Sequence, residues 1–392
     1  MEIRGWVDGS FSRVREVFTD VLAAQPGTGA SFAVWHGGTW VVDLWGGYVD
    51  AGHARPWQRD TLVMPYSVTK PFAAMCVLTL VDRGLVELDA PMQLYWPALE
   101  ARATIRDVLS HRAGVVVLQE DAPEEAFFDW GLMCSLLAHQ EPTWAPGTAQ
   151  GESALFYGHL LGQVVRRVDG RSLGRFLREE ICGPHGLDFH IGLGDGEMLR
   201  VADLTGFDAE FCALQQGATD LYKRAIANPP GVREAAVVNG ERWRRAEVPA
   251  VNGHGTARAV AAFYVALAQG GLLSRALTAE LTRGRGVAPE LVMGGEREWG
   301  LGVALDSDGY GMGGLGGSFG WWSEVGQYAI AFLTGHIGDY DRGDRLETVV
   351  RETLDLPPVQ VQAEAARAAQ DDVRGPQLPQ HDGFRCRPDT SQ

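Results

Sequence analysis

Strand-forming patterns lie near the two ends of this chain and helix-forming patterns lie between them. That order restricts the fold more than any other feature. Ser31–Trp35 and Thr39–Trp45 are short runs rich in β-branched and aromatic residues, joined by His36-Gly37-Gly38, which reads as a hairpin turn. The signal resumes at Trp299–Leu305, Gly309–Gly314, Gly320–Val325 and Tyr328–Leu333. Between these groups the apolar spacing is helical. Helices are expected from Ser10, as cap, to Leu22; from the Ser67 segment to Gly84; from about Ser153 to Val168; from near Ser172; and from Thr256, as cap, to Ala268. Thr104-Ile105-Arg106-Asp107 has a capping pattern, and a last helix is expected over Arg345–Leu354. The reading is an α/β (α+β) chain, with a sheet built from both termini and a mostly helical region inserted between its halves. We place the sheet-containing domain at residues 1–65 and 251–356, and a helical domain with substrate-side loops at 66–250. Residues 357–392, polar and poor in apolar anchors, read as a mobile tail.

Composition narrows the partners. Lys and Arg number 34 against 50 Asp and Glu, a net charge of −16, which argues against a nucleic-acid ligand. No apolar run approaches a membrane span, and Met1–Asp8 lacks the apolar stretch of a secretory signal, so no membrane partner is expected. The five cysteines (Cys76, Cys134, Cys182, Cys212, Cys386) are odd in number and lack metal-site spacing. They read as free thiols in a reducing cytoplasm.

Chemistry centres on Ser67-Val68-Thr69-Lys70. Positions i and i+3 of a helix share a face, with Cβ atoms roughly 5–6 Å apart, so the Lys70 amine can reach the Ser67 hydroxyl. A serine needs such a neighbour to become a nucleophile. Alone, the quartet is equally the pattern of a capping serine with a solvated lysine. Gly311-x-Gly313-x-x-Gly316 matches a dinucleotide fingerprint by letter, but it enters a strand and lacks the helix N-terminus that would hold a pyrophosphate. No cofactor is expected.

The order of motifs resembles the serine β-lactamase-like superfamily: class C β-lactamases, penicillin-binding D,D-peptidases and family VIII carboxylesterases, with the closest likeness to actinobacterial-type esterases of the last group. The resemblance rests on Val41–Gly47, Ser67–Lys70, Val108–Gly114, Trp144-Ala145-Pro146-Gly147, Gly253-His254-Gly255 and the glycine-rich stretch Gly311–Gly320, and spans roughly residues 10–355. It implies an antiparallel sheet flanked by helices and a small-molecule ester or amide substrate. Ser67 would be the nucleophile and Lys70 its proton partner. An oxyanion hole would be formed by the backbone N–H groups of Ser67 and, by position, Leu315.

Two departures from the family pattern bear on mechanism. Glu152 stands where the family has a tyrosine that shuttles the proton, and Tyr157, five residues on, reads as a partly buried helix aromatic. Met312-Gly313-Gly314 replaces a Lys-Thr-Gly or His-Gly-Gly motif. Met312 offers no charge to a substrate carboxylate, so β-lactamase activity is disfavoured. Glu152 becomes a candidate base. Tyr66, Met312, Gly313, Gly314 and Trp130 are candidate pocket residues. Three readings stay open: a hydrolase, an ATP-independent transacylase passing the acyl group from Ser67 to an amine or alcohol, and a catalytically idle binding homologue.

Overall fold

A computed structural model describes residues 2–24, 28–208, 211 and 218–358. Eleven strands are present among them: β1 (Ile3–Val7), β2 (Ala30–His36), β3 (Thr39–Gly46), β4 (Phe189–His190), β5 (His254–Gly255), β6 (Ala288–Pro289), β7 (Glu296–Trp299), β8 (Ala304–Leu305), β9 (Gly309–Gly313), β10 (Phe319–Ser323) and β11 (Tyr328–Thr334). Nine form one sheet in the order β1-β3-β2-β11-β10-β9-β8-β7-β6, every pairing antiparallel, and β4 pairs with β5 separately. Residues from the two chain ends therefore meet at the centre, where β2 pairs with β11. The fold is of the expected α+β class.

Strand β11 shows why the sheet is covered on both sides. Tyr328, Ile330 and Phe332 pack in one core with Phe18 of α1 (Ser12–Ala23) and Leu346 and Val350 of the C-terminal helix Asp341–Thr353. Ala329, Ala331 and Leu333 point the other way, into the main core with the helix Ala257–Ala268. Period-2 alternation puts these sets on opposite faces, and the two alanines let the helix lie close. Beyond it runs α2 (Lys70–Asp82), where every residue from Lys70 to Leu80 is buried. Phe72 on α2 stacks on Phe189, ring centroids 3.7 Å apart, and meets Phe263 at 4.2 Å. The site is thus mounted on a helix clamped between the sheet layer and the remaining helices.

Several sequence expectations are corrected. Asp8, not Ser10, accepts the capping N–H at the first turn, and α1 starts at Ser12. Ile3–Val7, which carries no strong strand signal, is a strand because it completes the ladder on β3. Trp299–Leu305 is two strands rather than one, because Gly300 and Gly302, the latter at φ +87°, make a turn between them. The helix expected from Ser153 begins only at Tyr157, as α5 (Tyr157–Val168), since side chains elsewhere hold the N–H groups of residues 152 and 153. Cys76, Cys134 and Cys182 are buried free thiols. The tail expected at 357–392 lies, from residue 359 onward, outside the described residues, as does Cys212.

Candidate active site

Tyr66–Thr69 forms a single 3-10 turn leading straight into α2. Tyr66 sits at φ +47°, a left-handed conformation that costs a non-glycine residue about 1–3 kcal/mol. Burial of its ring and a hydrogen bond from its hydroxyl to the Val232 carbonyl, 2.9 Å, hold it there. The strained turn lifts out its neighbour: between Thr61 and Lys70, Ser67 is the one residue that is not buried.

Lys70 Nζ donates to Ser67 Oγ at 2.8 Å, and Ser67 Oγ donates to Glu152 Oε1 at 3.1 Å. Lys70 and Glu152 close the triangle with an ion pair of 2.8 Å, both side chains essentially out of solvent. Two backbone carbonyls also accept from Lys70, Ala154 at 3.1 Å and Ala250 at 3.2 Å. Burial lowers the Lys70 ammonium from its ordinary range, opposed by the Glu152 charge. Burial is the largest single influence on Glu152 and works against its ionisation, but Lys70, His111 and Arg297 together outweigh it and hold that carboxyl at about 2. At neutral pH the pair is charged, with the proton on lysine. The serine hydroxyl therefore receives a hydrogen bond from a cation and gives one to an anion, an arrangement suited to pulling its proton toward Glu152.

The segment bearing Glu152 is pinned from two sides. Gly151 N–H donates to the His111 carbonyl at 2.9 Å, Ser153 N–H to His111 Nδ1 at 3.3 Å, and Ser153 Oγ to the Val115 carbonyl at 2.8 Å. Burial pushes His111 down to about 3, so its ring is neutral and its Nδ1 can accept. The Glu152 N–H is taken by the carboxylate of Glu290.

The glycine-rich strand end approaches from the sheet. A Cβ on Gly314 would lie 2.0 Å from the Pro65 carbonyl oxygen and 3.4 Å from Ser67 N, so only glycine allows this contact. Gly313 is exposed beside it and Leu315 is half-buried. Met312 turns away into a small cluster with Trp299 and Ala304 and is 2% exposed, so it presents no surface to a ligand.

Other candidates are placed differently. Tyr66 is a buried wall whose hydroxyl is already bonded. Trp130 packs on α5: its indole N–H donates to Gln163 at 2.9 Å, its ring lies 4.7 Å from that of His159, and the Arg166 guanidinium sits 4.3 Å above it. As a pocket residue Trp130 is corrected, because its ring is consumed in joining α4 (Trp130–Ala138) to α5. Tyr157 is buried, donates to the Leu109 carbonyl at 3.2 Å and stacks on His111, so it serves packing. Glu290 was not anticipated. It belongs to no motif, and the β6–β7 hairpin brings it to the site by bridging to the chain at Gln150.

A protein-family model described as Beta-lactamase matches residues 14–354. The chain belongs to the beta-lactamase family. Within that family it is 33% identical over 347 residues to the esterase/beta-lactamase LipL of Mycobacterium tuberculosis, covering 81% of this chain and 79% of that one. It is 28% identical over 197 residues to esterase EstB of Burkholderia gladioli, covering 45% and 50%. A crystal structure of a family VIII carboxylesterase superposes with a TM-score of 0.81 at 35% identity, covering 90% of this chain and all (100%) of that one. A penicillin-binding protein homologue from Caulobacter crescentus gives 0.80 at 32%, with the same coverage of 90% and 100%.

Proposed function

We propose that this protein is a serine carboxylesterase that works through an acyl-Ser67 intermediate on small-molecule esters. The observation that carries the reading is the Lys70–Ser67–Glu152 triangle, with the serine hydroxyl donating to the carboxylate and accepting from the ammonium. In the acylation step Ser67 Oγ attacks the ester carbonyl while its proton passes to Glu152 Oε1. Lys70 stabilises the negative charge that develops on Oγ as it loses that proton. The oxyanion is held by the N–H groups of Ser67 and Leu315, each such donor contributing about 3–4 kcal/mol to the transition state. Collapse breaks the C–O bond, and Glu152 returns the proton to the departing alkoxide. Water, deprotonated by Glu152, then attacks the acyl carbonyl; the bond to Ser67 Oγ breaks, and Glu152 returns that proton to Ser67 Oγ.

The residue chemistry also bears on substrate. Met312 is buried and uncharged where the family pattern has a basic or hydrogen-bonding residue, so a neutral ester suits the site better than a penicillin-type carboxylate. A second reading, acyl transfer to an alcohol or amine, is favoured by the ion pair. A carboxylate held at about 2 is a weak base for water, and an amine needs less help to attack.

The test is mass spectrometry after incubation with a fluorophosphonate, alongside hydrolysis of p-nitrophenyl acetate. A single adduct on Ser67, lost in Ser67→Ala together with turnover, is the expected result. Absence of the adduct overturns both readings. An adduct with slow hydrolysis, and acyl product formed when an alcohol or amine is added, selects transfer.

A further inference from the structure

The hairpin of β6 and β7 carries a buried carboxylate that the mechanism above does not use. Glu290 is 2% exposed. One of its oxygens accepts the backbone N–H of Glu152, and the other accepts that of Met293. The same hairpin is tied to the chain just before Glu152. Leu291 N–H donates to the Gln150 carbonyl at 3.1 Å, and the Gln150 amide donates to the carbonyls of Ala288 at 2.9 Å and Arg297 at 2.6 Å. Gly151 and Ser153 are held by the carbonyl and the neutral ring of His111, whereas Glu152, between them, is held by an ionisable group. A carbonyl would serve a purely structural hold at less cost, because burying a carboxylate is expensive.

We propose that Glu290 is a positioning residue of the reaction: by accepting the Glu152 N–H it aims the Glu152 carboxylate at Ser67, and turnover requires Glu290 to be ionised. This rests on the reading of Glu152 as the proton acceptor.

Two effects make ionisation matter. The carboxylate accepts both N–H groups strongly, whereas the acid form turns one oxygen into a hydroxyl and loosens one clamp. The negative charge also lies close to Glu152 and offsets part of the Lys70 pull, raising the affinity of Glu152 for the serine proton. The charged and titratable groups around the pair are Lys70, His111, Arg297 and the tyrosines Tyr157, Tyr222 and Tyr340, whose hydroxyls burial keeps protonated through the neutral range. Burial, then the Glu152 charge, pushes Glu290 up to about 7, with the two N–H groups and Arg297 pulling the other way. The group therefore ionises across the neutral range.

The experiment is the pH profile of kcat for the wild type and Glu290→Gln, from about pH 5.5 to 9, with a p-nitrophenyl ester and fluorophosphonate labelling as the count of folded sites. The wild type is expected to gain activity through an apparent pKa near 7. Glu290→Gln should lose that limb and about 10-fold or more in kcat, with KM little changed and labelling still stoichiometric. Glu290→Asp, shorter but ionisable, should keep a limb at reduced rate. A limb that persists in Glu290→Gln, or a wild-type kcat flat through neutral pH, overturns the proposal, and the second result stands even if the variant does not fold. Glu152→Gln separates the two readings. Retained turnover there sinks the proton-acceptor assignment itself, whereas lost turnover there with an unaltered Glu290→Gln profile sinks only the role of Glu290.

Discussion

Replacing Glu152 with glutamine removes one charge from a buried pair while keeping its shape, so the expected effects can be worked out. The carboxylate and ammonium are 2.8 Å apart, with side chains 5% and 1% exposed. Unit charges at that separation attract by about 6 kcal/mol at an effective dielectric of about 20. Desolvation consumes much of this, and breaking a buried pair by removing one partner costs about 3–5 kcal/mol. Here Lys70 can relieve the loss by giving up its proton, since burial already lowers its pKa and Glu152 is what props it up. The introduced amide oxygen can also still accept from Nζ. We expect Glu152→Gln to lose about 3 kcal/mol of stability at pH 7, the low end of that range. The loss should shrink at alkaline pH, where Lys70 in the variant is neutral. The acid side follows from linkage. The folded-state carboxyl lies at about 2 against an ordinary 4.5, so its contribution is complete above about 4.5 and is lost as pH falls toward 2. Urea unfolding at several pH values measures the difference, which should be largest near neutrality and vanish in acid. Turnover of a p-nitrophenyl ester should fall by about 10²–10⁴-fold if Glu152 is the base. Equal stability at pH 7 would refute the buried ion pair. Lost stability with wild-type kcat would make Glu152 a counterion to Lys70 and nothing more.

Three further substitutions separate the reacting groups from their supports. Gly314→Ala puts a Cβ 2.0 Å from the Pro65 carbonyl oxygen, so the Ser67 turn must shift, and fluorophosphonate labelling should slow by about 100-fold. Tyr157→Phe removes the hydrogen bond to the Leu109 carbonyl, and should cost about 1 kcal/mol in urea unfolding while leaving kcat within about threefold. Trp130→Ala empties the contact with His159 and Gln163 and should cost about 3–5 kcal/mol of stability, with KM unchanged in the protein that remains folded. A raised KM there would return Trp130 to the pocket.

The parts of this molecule that could be read from the chain are those whose physics is local. The helix Ala257–Ala268 begins at Thr256, whose side chain accepts the Ala259 N–H, and the helix after Thr104 carries its full capping box. Both are short-range hydrogen bonds written in consecutive residues. The Lys70–Ser67 contact is equally local, because three residues along a helical turn bring the side chains together. Where reading failed, a distant partner decided. Ile3–Val7 is a strand only because β3 supplies its ladder, and residues 151–153 stay out of helix α5 because His111 and Glu290 hold their N–H groups. Trp130 was misplaced for the same reason. An aromatic residue near an irregular loop does not reveal which helix its ring will cover.

By itself, the sequence determined the α+β class, the family and the pairing of Ser67 with Lys70. Periodicity, caps and i,i+3 spacing all act within a few residues, and the family motifs preserve their order along the chain. Only the tertiary structure decided what surrounds that pair. It brought Glu152 in from 85 residues away to 3.1 Å from the serine oxygen, closed Gly314 onto the back of the Ser67 turn, buried Met312 against Trp299 and Ala304, and set Glu290 behind Glu152. The reason is electrostatic and steric: a carboxylate has its chemistry set by the charges, donors and solvent it meets, and those are assembled by packing, not by sequence neighbours.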